Sequence, residues 1–204
     1  STVADRIREE TNKLAGGSKG ITEIPIRLKL YSPKVLNLVM IDLPGITKNP
    51  VGDQPEDIEH IIRNRIIMPY ISNKNSIILA VSKANDDIAN SESLKMAREV
   101  DPELNRTIGV MTQLDLVDKG TDIASELSNS TYKLKLGYVG VVCRGAKDVS
   151  ENKSLENQLS DERDFFQNHP AYCRFANKMG ISYLMAKLNR SFMEHIKIAL
   201  PEIR

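Results

Sequence analysis

The segment that most restricts the fold is Val35-Leu-Asn-Leu-Val-Met-Ile-Asp42-Leu-Pro-Gly45, an almost unbroken apolar run that ends on an aspartate. Such a run is long enough for a strand buried on both faces, the kind found in parallel sheets covered by helices. In phosphate-binding α/β proteins a strand that ends on Asp can bring its carboxylate near a Mg²⁺. A glycine three positions on lets a backbone N–H approach a terminal phosphate, because no Cβ intervenes. Asp-x-x-Gly alone is a weak signal, since ordinary strand-to-loop turns carry it as well.

Two further runs strengthen it. Thr107-Ile-Gly-Val-Met-Thr112-Gln113-Leu114-Asp115 is β-rich and ends in Thr-x-x-Asp. A carboxylate at Asp115 could accept from both the ring N–H and the exocyclic amine of guanine. Adenine lacks that pair of donors, so a site built this way would reject it. Tyr138-Val-Gly-Val-Val-Cys143 then leads into Arg144-Gly145-Ala146-Lys147. Three strand ends with polar loops in series point to one ligand crevice at the carboxyl edge of a sheet. The competing reading of each is a plain loop with a satisfied aspartate.

The remaining pattern alternates helix and strand. Ala4–Leu14 has helical spacing, and Gly16-Gly17-Ser18-Lys19-Gly20 reads as a helix stop and turn. Ile24–Leu30 alternates like a half-exposed strand, and Val35–Ile41 reads as a central one. Residues Pro55–Ile71 place Ile58, Ile61, Ile62 and Ile66 on one helical face. Ser76–Val81 is another buried strand, and Asn90 is positioned to cap a helix through Val100. Lys153–Phe166 is helical with Leu155, Leu159 and Phe166 as contacts; Ser182–Leu200 is a last helix, stopped by Pro201. Cys143 reads as a small core residue closing its strand. The fold expected is α/β: a mostly parallel sheet with helices on both faces and one antiparallel strand near Ile24.

Composition sets outer limits. With 204 residues and 41% apolar content the chain can bury one substantial core, and one domain is expected. A net charge of +1 recruits neither nucleic acid nor anionic lipid globally. The cysteines Cys143 and Cys173 make no disulfide framework. The three histidines have no metal-ligand spacing, and no signal peptide or long apolar run is present.

These residues carry a family resemblance. Asp42-Leu-Pro-Gly-Ile-Thr-Lys-Asn-Pro-Val-Gly-Asp-Gln-Pro55 resembles the switch II region of the dynamin superfamily of large GTPases. The likeness continues through Ala84-Asn-Asp-Asp-Ile-Ala-Asn-Ser91, Ala97-Arg-Glu-Val-Asp-Pro102, Asp115-Leu-Val-Asp-Lys-Gly-Thr121, Phe165-Phe-Gln-Asn-His-Pro170 and His195-Ile-Lys-Ile-Ala-Leu-Pro201-Glu. It is nearer the dynamin and vacuolar-sorting branch than the antiviral Mx branch, although Val142-Cys-Arg-Gly145 is Mx-like.

The resemblance implies a Ras-like P-loop GTPase architecture that binds GTP and GDP with Mg²⁺ and hydrolyses GTP. Asp42 would meet Mg²⁺ through water and Gly45 the γ-phosphate, while Lys48 is similar to a switch II lysine. Thr112 would orient its loop, Asp115 read guanine and Asp118 add a polar nucleotide contact. Asp87 resembles an aspartate that reaches toward a partner subunit's site. Self-assembly through this domain would stimulate hydrolysis, with membrane contact made by other parts of a cytoplasmic, peripherally associated protein.

No Gly-x-x-x-x-Gly-Lys-Ser/Thr occurs in the chain. Residues 1–200 are accordingly expected to be the rear part of such a domain, following the phosphate loop and switch I, and to hydrolyse little GTP alone. Residues 201–204 would begin a hinge toward a helical bundle. The chain also departs from the family pattern. Gln113 replaces the usual lysine of Thr-Lys-x-Asp, and Cys143-Arg144-Gly145-Ala146 replaces Asn-Arg-Ser-Gln. The lost amides would weaken binding by about 1–2 kcal/mol. A non-catalytic assembly module with a degraded pocket is therefore the other reading.

Overall fold

The three apolar runs at residues 76–81, 107–112 and 138–143 become the strands of one sheet. β1 (Ile78–Lys83), β2 (Thr107–Thr112) and β3 (Tyr138–Gly140) lie in that order, all parallel. The computed structural model describes residues 3–16, 20–32, 38–52, 54–118 and 123–199. The chain divides into two compact units, Ser1–Asn73 and Lys74–Arg204.

The sheet belongs to the second unit, where β2 is central and Thr107 through Met111 are all buried. Register places Val81 beside Val110 and Val110 beside Val139. On that face Ile108, Val110, Val139 and Val141 pack with Leu188, Leu184, Tyr183 and Ile181 of the helix α8 (Ile181–Ala199). The opposite face explains Gly109, because a Cβ there would run into the Tyr138 ring and Leu134. It also holds Gly140, whose missing side chain leaves room for Leu114 and for Leu127 of α5 (Ala124–Leu127). Helices thus cover both faces, as the unbroken apolar strands require.

At the amino edge of the sheet a buried polar network takes the place of apolar packing. The Asp101 carboxylate accepts from the backbone N–H groups of Asn105 and Arg106, each at 3.0 Å, and from Thr107 Oγ1 at 2.7 Å. Arg106 donates to the Ser76 carbonyl at 2.8 Å and the Val100 carbonyl at 3.0 Å. The entries to β1 and β2 and the end of α4 (Glu92–Val100) are therefore fastened together. Burial lowers the pKa of the Arg106 guanidinium, and Asp101 opposes that shift.

Sequence expectations for two helices of this unit need correction. Ser91, not Asn90, caps α4: its side chain accepts from Leu94 N–H at 3.3 Å, while Asn90 closes a 3₁₀ turn, Ile88–Asn90. The hydroxyl is the better placed acceptor because Ser91 has the extended backbone of an N-cap. In α7 (Leu155–Asn168) the buried residues are Gln158, Glu162 and Phe166, whereas Leu155 is 59% exposed. Polar side chains occupy the inner stripe because backbone groups of a neighbouring segment await them there.

The first unit contains α1 (Val3–Ala15), which buries no residue and ends at Gly16 with φ +73°, as the helix stop predicted. The helix over the expected Pro55–Ile71 region is continuous but irregular: α2 (Ile58–His60), a π-helical stretch Ile61–Ile67, and α3 (Met68–Ile71). Buried Ile58, Ile62, the adjacent pair Ile66 and Ile67, and Ile71 mark successive turns four to five residues apart, wider than the α-helical period. Pro69 supplies a cause, since its ring would crowd a carbonyl one α-turn back and its nitrogen donates nothing.

The strand expected at Ile24–Leu30 is not formed, and the described part of the one expected at Val35–Ile41, residues 38–41, is not in a strand either. Residues 25–30 and 38–41 carry no ladder, and Leu28, Leu30, Val39, Met40 and Ile41 are exposed. Residues 33–37 lie outside the described residues, as do Leu200 and Pro201. An apolar run states a demand for burial; a strand also needs a neighbouring ladder, which the local sequence does not provide.

Candidate functional site

The carboxyl edge of β2 and β3 gathers most of the predicted base-reading residues. β2 ends at Thr112, which is held inward: its carbonyl accepts from Ala84 N–H at 2.8 Å, and its hydroxyl donates to the Ser82 carbonyl at 3.3 Å. The chain then turns sharply. Gln113 has φ +60° and ψ 35°, an uncommon left-handed conformation for a residue with a side chain. That turn launches the 3₁₀ segment Leu114–Leu116, in which Leu114 is buried as an anchor and Asp115 is exposed.

β3 runs in parallel beside it. Val141 N–H donates to the Met111 carbonyl at 2.8 Å, so pairing continues to the sheet rim. Cys143, Arg144 and Ala146 follow, all exposed. Cys143 is therefore not the core residue expected; burial ends at Val142, one position earlier. The Cys143 thiol is nonetheless pushed up in pKa, first by partial burial of its sulfur and then by Glu162 and Asp115. Asp115 and Cys143, distant in sequence, thus share one electrostatic neighbourhood. The Arg144 guanidinium donates to the Lys153 carbonyl at 3.1 Å, which holds it against the turn before α7.

Below Ala146 the short α6 (Ala146–Ser150) is closed by Asp148, which accepts from Gly145 N–H at 2.9 Å. That bond, with help from Lys153, lowers the Asp148 pKa. Lys153 bridges Asp148 at 3.3 Å and Asp161 at 2.6 Å, and its ammonium pKa is raised first by Asp161.

The rim of β3 is fastened from behind by residues that sequence reasoning missed. Glu162 Oε1 accepts from Val142 N–H at 2.8 Å, and Gln158 Nε2 donates to the Val142 carbonyl at 2.7 Å. Glu162 Oε2 accepts from Ile181 N–H, also at 2.8 Å, at the first residue of α8. Burial raises the Glu162 pKa, against the opposing effect of these two N–H donors. The signal that could have found them is the 158, 162, 166 spacing, one helical stripe once polar residues are admitted to it.

The other predicted residues lie elsewhere. Asp87 accepts from Ala89 N–H at 2.9 Å and caps the 3₁₀ turn after β1. Together with Asp118 it lines a cleft of about 270 Å³ beside Ala84, Met111 and Ile123. Asp118 thus shares a cleft with Asp87, in the loop that follows Asp115. Asp42, Gly45 and Lys48 belong to the first unit, on irregular and exposed backbone. A Cβ at Gly45 would meet nothing within 4 Å, so protein packing does not demand glycine there. Among the described residues no group of three or more His, Cys, Asp or Glu could hold a metal ion by itself.

A parallel sheet with helices on both faces and polar loops at its carboxyl edge defines an α/β protein, the class whose ligands bind at that edge. The comparisons then give the family. The chain belongs to the dynamin family, whose family model matches residues 1–114; the dynamin central region matches residues 122–204. β1 and β2 fall within the first match and β3 within the second, so one sheet draws on both.

Across 202 residues, 99% of the chain, it is 53% identical to dynamin-related protein DNM1 of Saccharomyces cerevisiae, covering 27% of that protein. Over the same length it is 51% identical to vacuolar protein sorting-associated protein 1 of Schizosaccharomyces pombe, covering 30%. Identity to dynamin-2 of Bos taurus is 50%, covering 23%. The chain therefore spans less than a third of each of these relatives.

Proposed function

We propose that this chain supplies the base-reading part of a GTPase domain, in a dynamin-type protein that binds GTP and hydrolyses it to GDP and phosphate. The observation that carries the proposal is the Asp115 carboxylate, exposed at the end of parallel β2 beside the Cys143–Ala146 loop of β3. Its two oxygens suit the paired donors of guanine, and the adjacent loop supplies the other wall. Thr112 and the left-handed Gln113 orient the turn, so the carboxylate is positioned before ligand arrives.

Asp42 and Gly45 serve the phosphate end, the first beside Mg²⁺ through water and the second through its N–H. An exposed single carboxylate fits an outer contact, because Mg²⁺ keeps several waters and is held by few carboxylates plus phosphate oxygens. When bound, Mg²⁺ neutralises charge developing on the phosphates. Lys48 lies in the same loop. Pairing of such domains, with Asp87 at the contact, stimulates turnover in a cytoplasmic protein that meets membrane through its other regions. Membrane remodelling is the activity this reading assigns to the whole protein.

A second reading, assembly without turnover, is favoured by Gln113, Cys143 and Ala146. Gln113 lacks the lysine stem of the family pattern, and Cys143 and Ala146 lack its two side-chain amides. Hydrolysis by the full-length protein, followed across protein concentration with Mg²⁺ present, separates the two. Specific activity that climbs with concentration supports a GTPase stimulated by pairing, whereas zero turnover throughout favours the assembly module.

A further inference from the structure

The Cys143–Ala146 loop and the start of α8 are joined by one buried side chain. Glu162 is 3% exposed, and its two oxygens are divided between two different segments. Oε1 takes Val142 N–H and Oε2 takes Ile181 N–H, both at 2.8 Å. Val142 is the last buried residue before the loop, and Gln158, one turn back on α7, holds its carbonyl. Ile181 begins the helix whose Leu184 and Leu188 pack on the sheet. Glycine at residue 180 leaves the carboxylate its present position. Its φ is +89°, and a Cβ there would come within 3.0 Å of Glu162 Oε2.

We propose that Glu162 is the positioning residue of the base-facing loop, holding the rim of β3 in register with the N-terminus of α8. This rests on the reading that the loop contacts guanine. A carboxylate spanning two segments does what apolar packing cannot: each oxygen fixes one N–H to a few tenths of an ångström, so displacement of α8 at Ile181 is felt at Val142. The consequence is that nucleotide affinity depends on a residue that touches no nucleotide.

The test uses the full-length protein with Glu162→Gln, which preserves shape but presents an NH₂ to one of the two N–H donors. The Michaelis constant for GTP is expected to rise about ten-fold, the size of one lost hydrogen bond to a charged acceptor, with kcat at saturation unchanged. Leu188→Ala, a core change giving a comparable loss of thermal stability, should leave the Michaelis constant alone. Amide hydrogen exchange should accelerate at Val142 and Ile181 together.

A Glu162→Gln protein with wild-type Michaelis constant, or one in which Ile181 exchange rises and Val142 does not, overturns the proposal. Should that variant fail to accumulate, Gly180→Ala presses on the same carboxylate and is judged by the same readouts. If the wild-type protein binds no guanine nucleotide, it is the guanine reading that falls. Joint exchange at the two amides then still decides for or against Glu162 as the link.

Discussion

Replacing Asp101 with alanine removes the acceptor at the centre of the amino-edge network, and the cost can be worked from its contacts. Three donors lose their partner: Asn105 N–H, Arg106 N–H and Thr107 Oγ1. Asn105 is exposed and can turn to water, so it adds little. Arg106 and Thr107 are 8% and 0% exposed, and each stranded buried donor costs about 1–3 kcal/mol. Arg106 also loses the carboxylate that offsets its desolvated charge. Together these give a loss of about 3–5 kcal/mol, the range seen when one partner of a buried polar pair is removed.

Asp101→Asn retains one carbonyl oxygen and should lose about half as much. Thr107→Val, which deletes only the hydroxyl, should cost about 1 kcal/mol. Urea denaturation followed by circular dichroism measures all three, the midpoint falling while the slope stays constant. The network lies at the opposite edge of the sheet from Asp115, so the folded Asp101→Ala protein should keep its affinity for GTP. An alanine variant losing less than about 1 kcal/mol would refute the view that this cluster fastens β1, β2 and α4 together.

Other changes test other links. Gly109→Ala drives a methyl against Tyr138 and Leu134 in the sheet core, with an expected loss of about 1–3 kcal/mol in the same denaturation assay. Gln113→Lys restores a long apolar stem and a charge at the base-facing turn; tighter guanine-nucleotide binding by fluorescence titration is expected, and no change would favour the assembly module. Cys143 should alkylate more slowly than a free cysteine at pH 8, because a raised thiol pKa leaves less thiolate. Asp115→Asn should speed that reaction by removing one opposing charge. For Glu162 the sign is set by its raised folded pKa: the native state holds its proton above the unfolded value. Its contribution to stability is therefore largest below about pH 4.5 and declines as pH rises through the folded pKa. The stability advantage of wild type over Glu162→Gln should shrink in that direction.

Much of the second unit was legible along the chain. The runs Ser76–Val81, Thr107–Thr112 and Tyr138–Cys143 read as strands from their apolar continuity, clearest in the central β2, which is buried on both faces, and that pattern needs no tertiary information. The helix stop at Gly16 follows from left-handed backbone that glycine enters freely. Asp115 could be singled out because a polar loop after a buried strand is a local signal. Tertiary structure alone decided the rest. It left Val39, Met40 and Ile41 outside any ladder, since hydrophobicity asks for a neighbour without naming one. It brought Asp118 and Asp87 to one cleft, a pairing that their distance along the chain hides. It also turned Gln158 and Glu162 inward, against their polarity, because the N–H and carbonyl of Val142 and the N–H of Ile181 require partners that come from 16 to 20 residues away. A hydrogen-bond need that arises on one element and is met from another leaves only the 158, 162, 166 stripe in the sequence, and polarity disguises it.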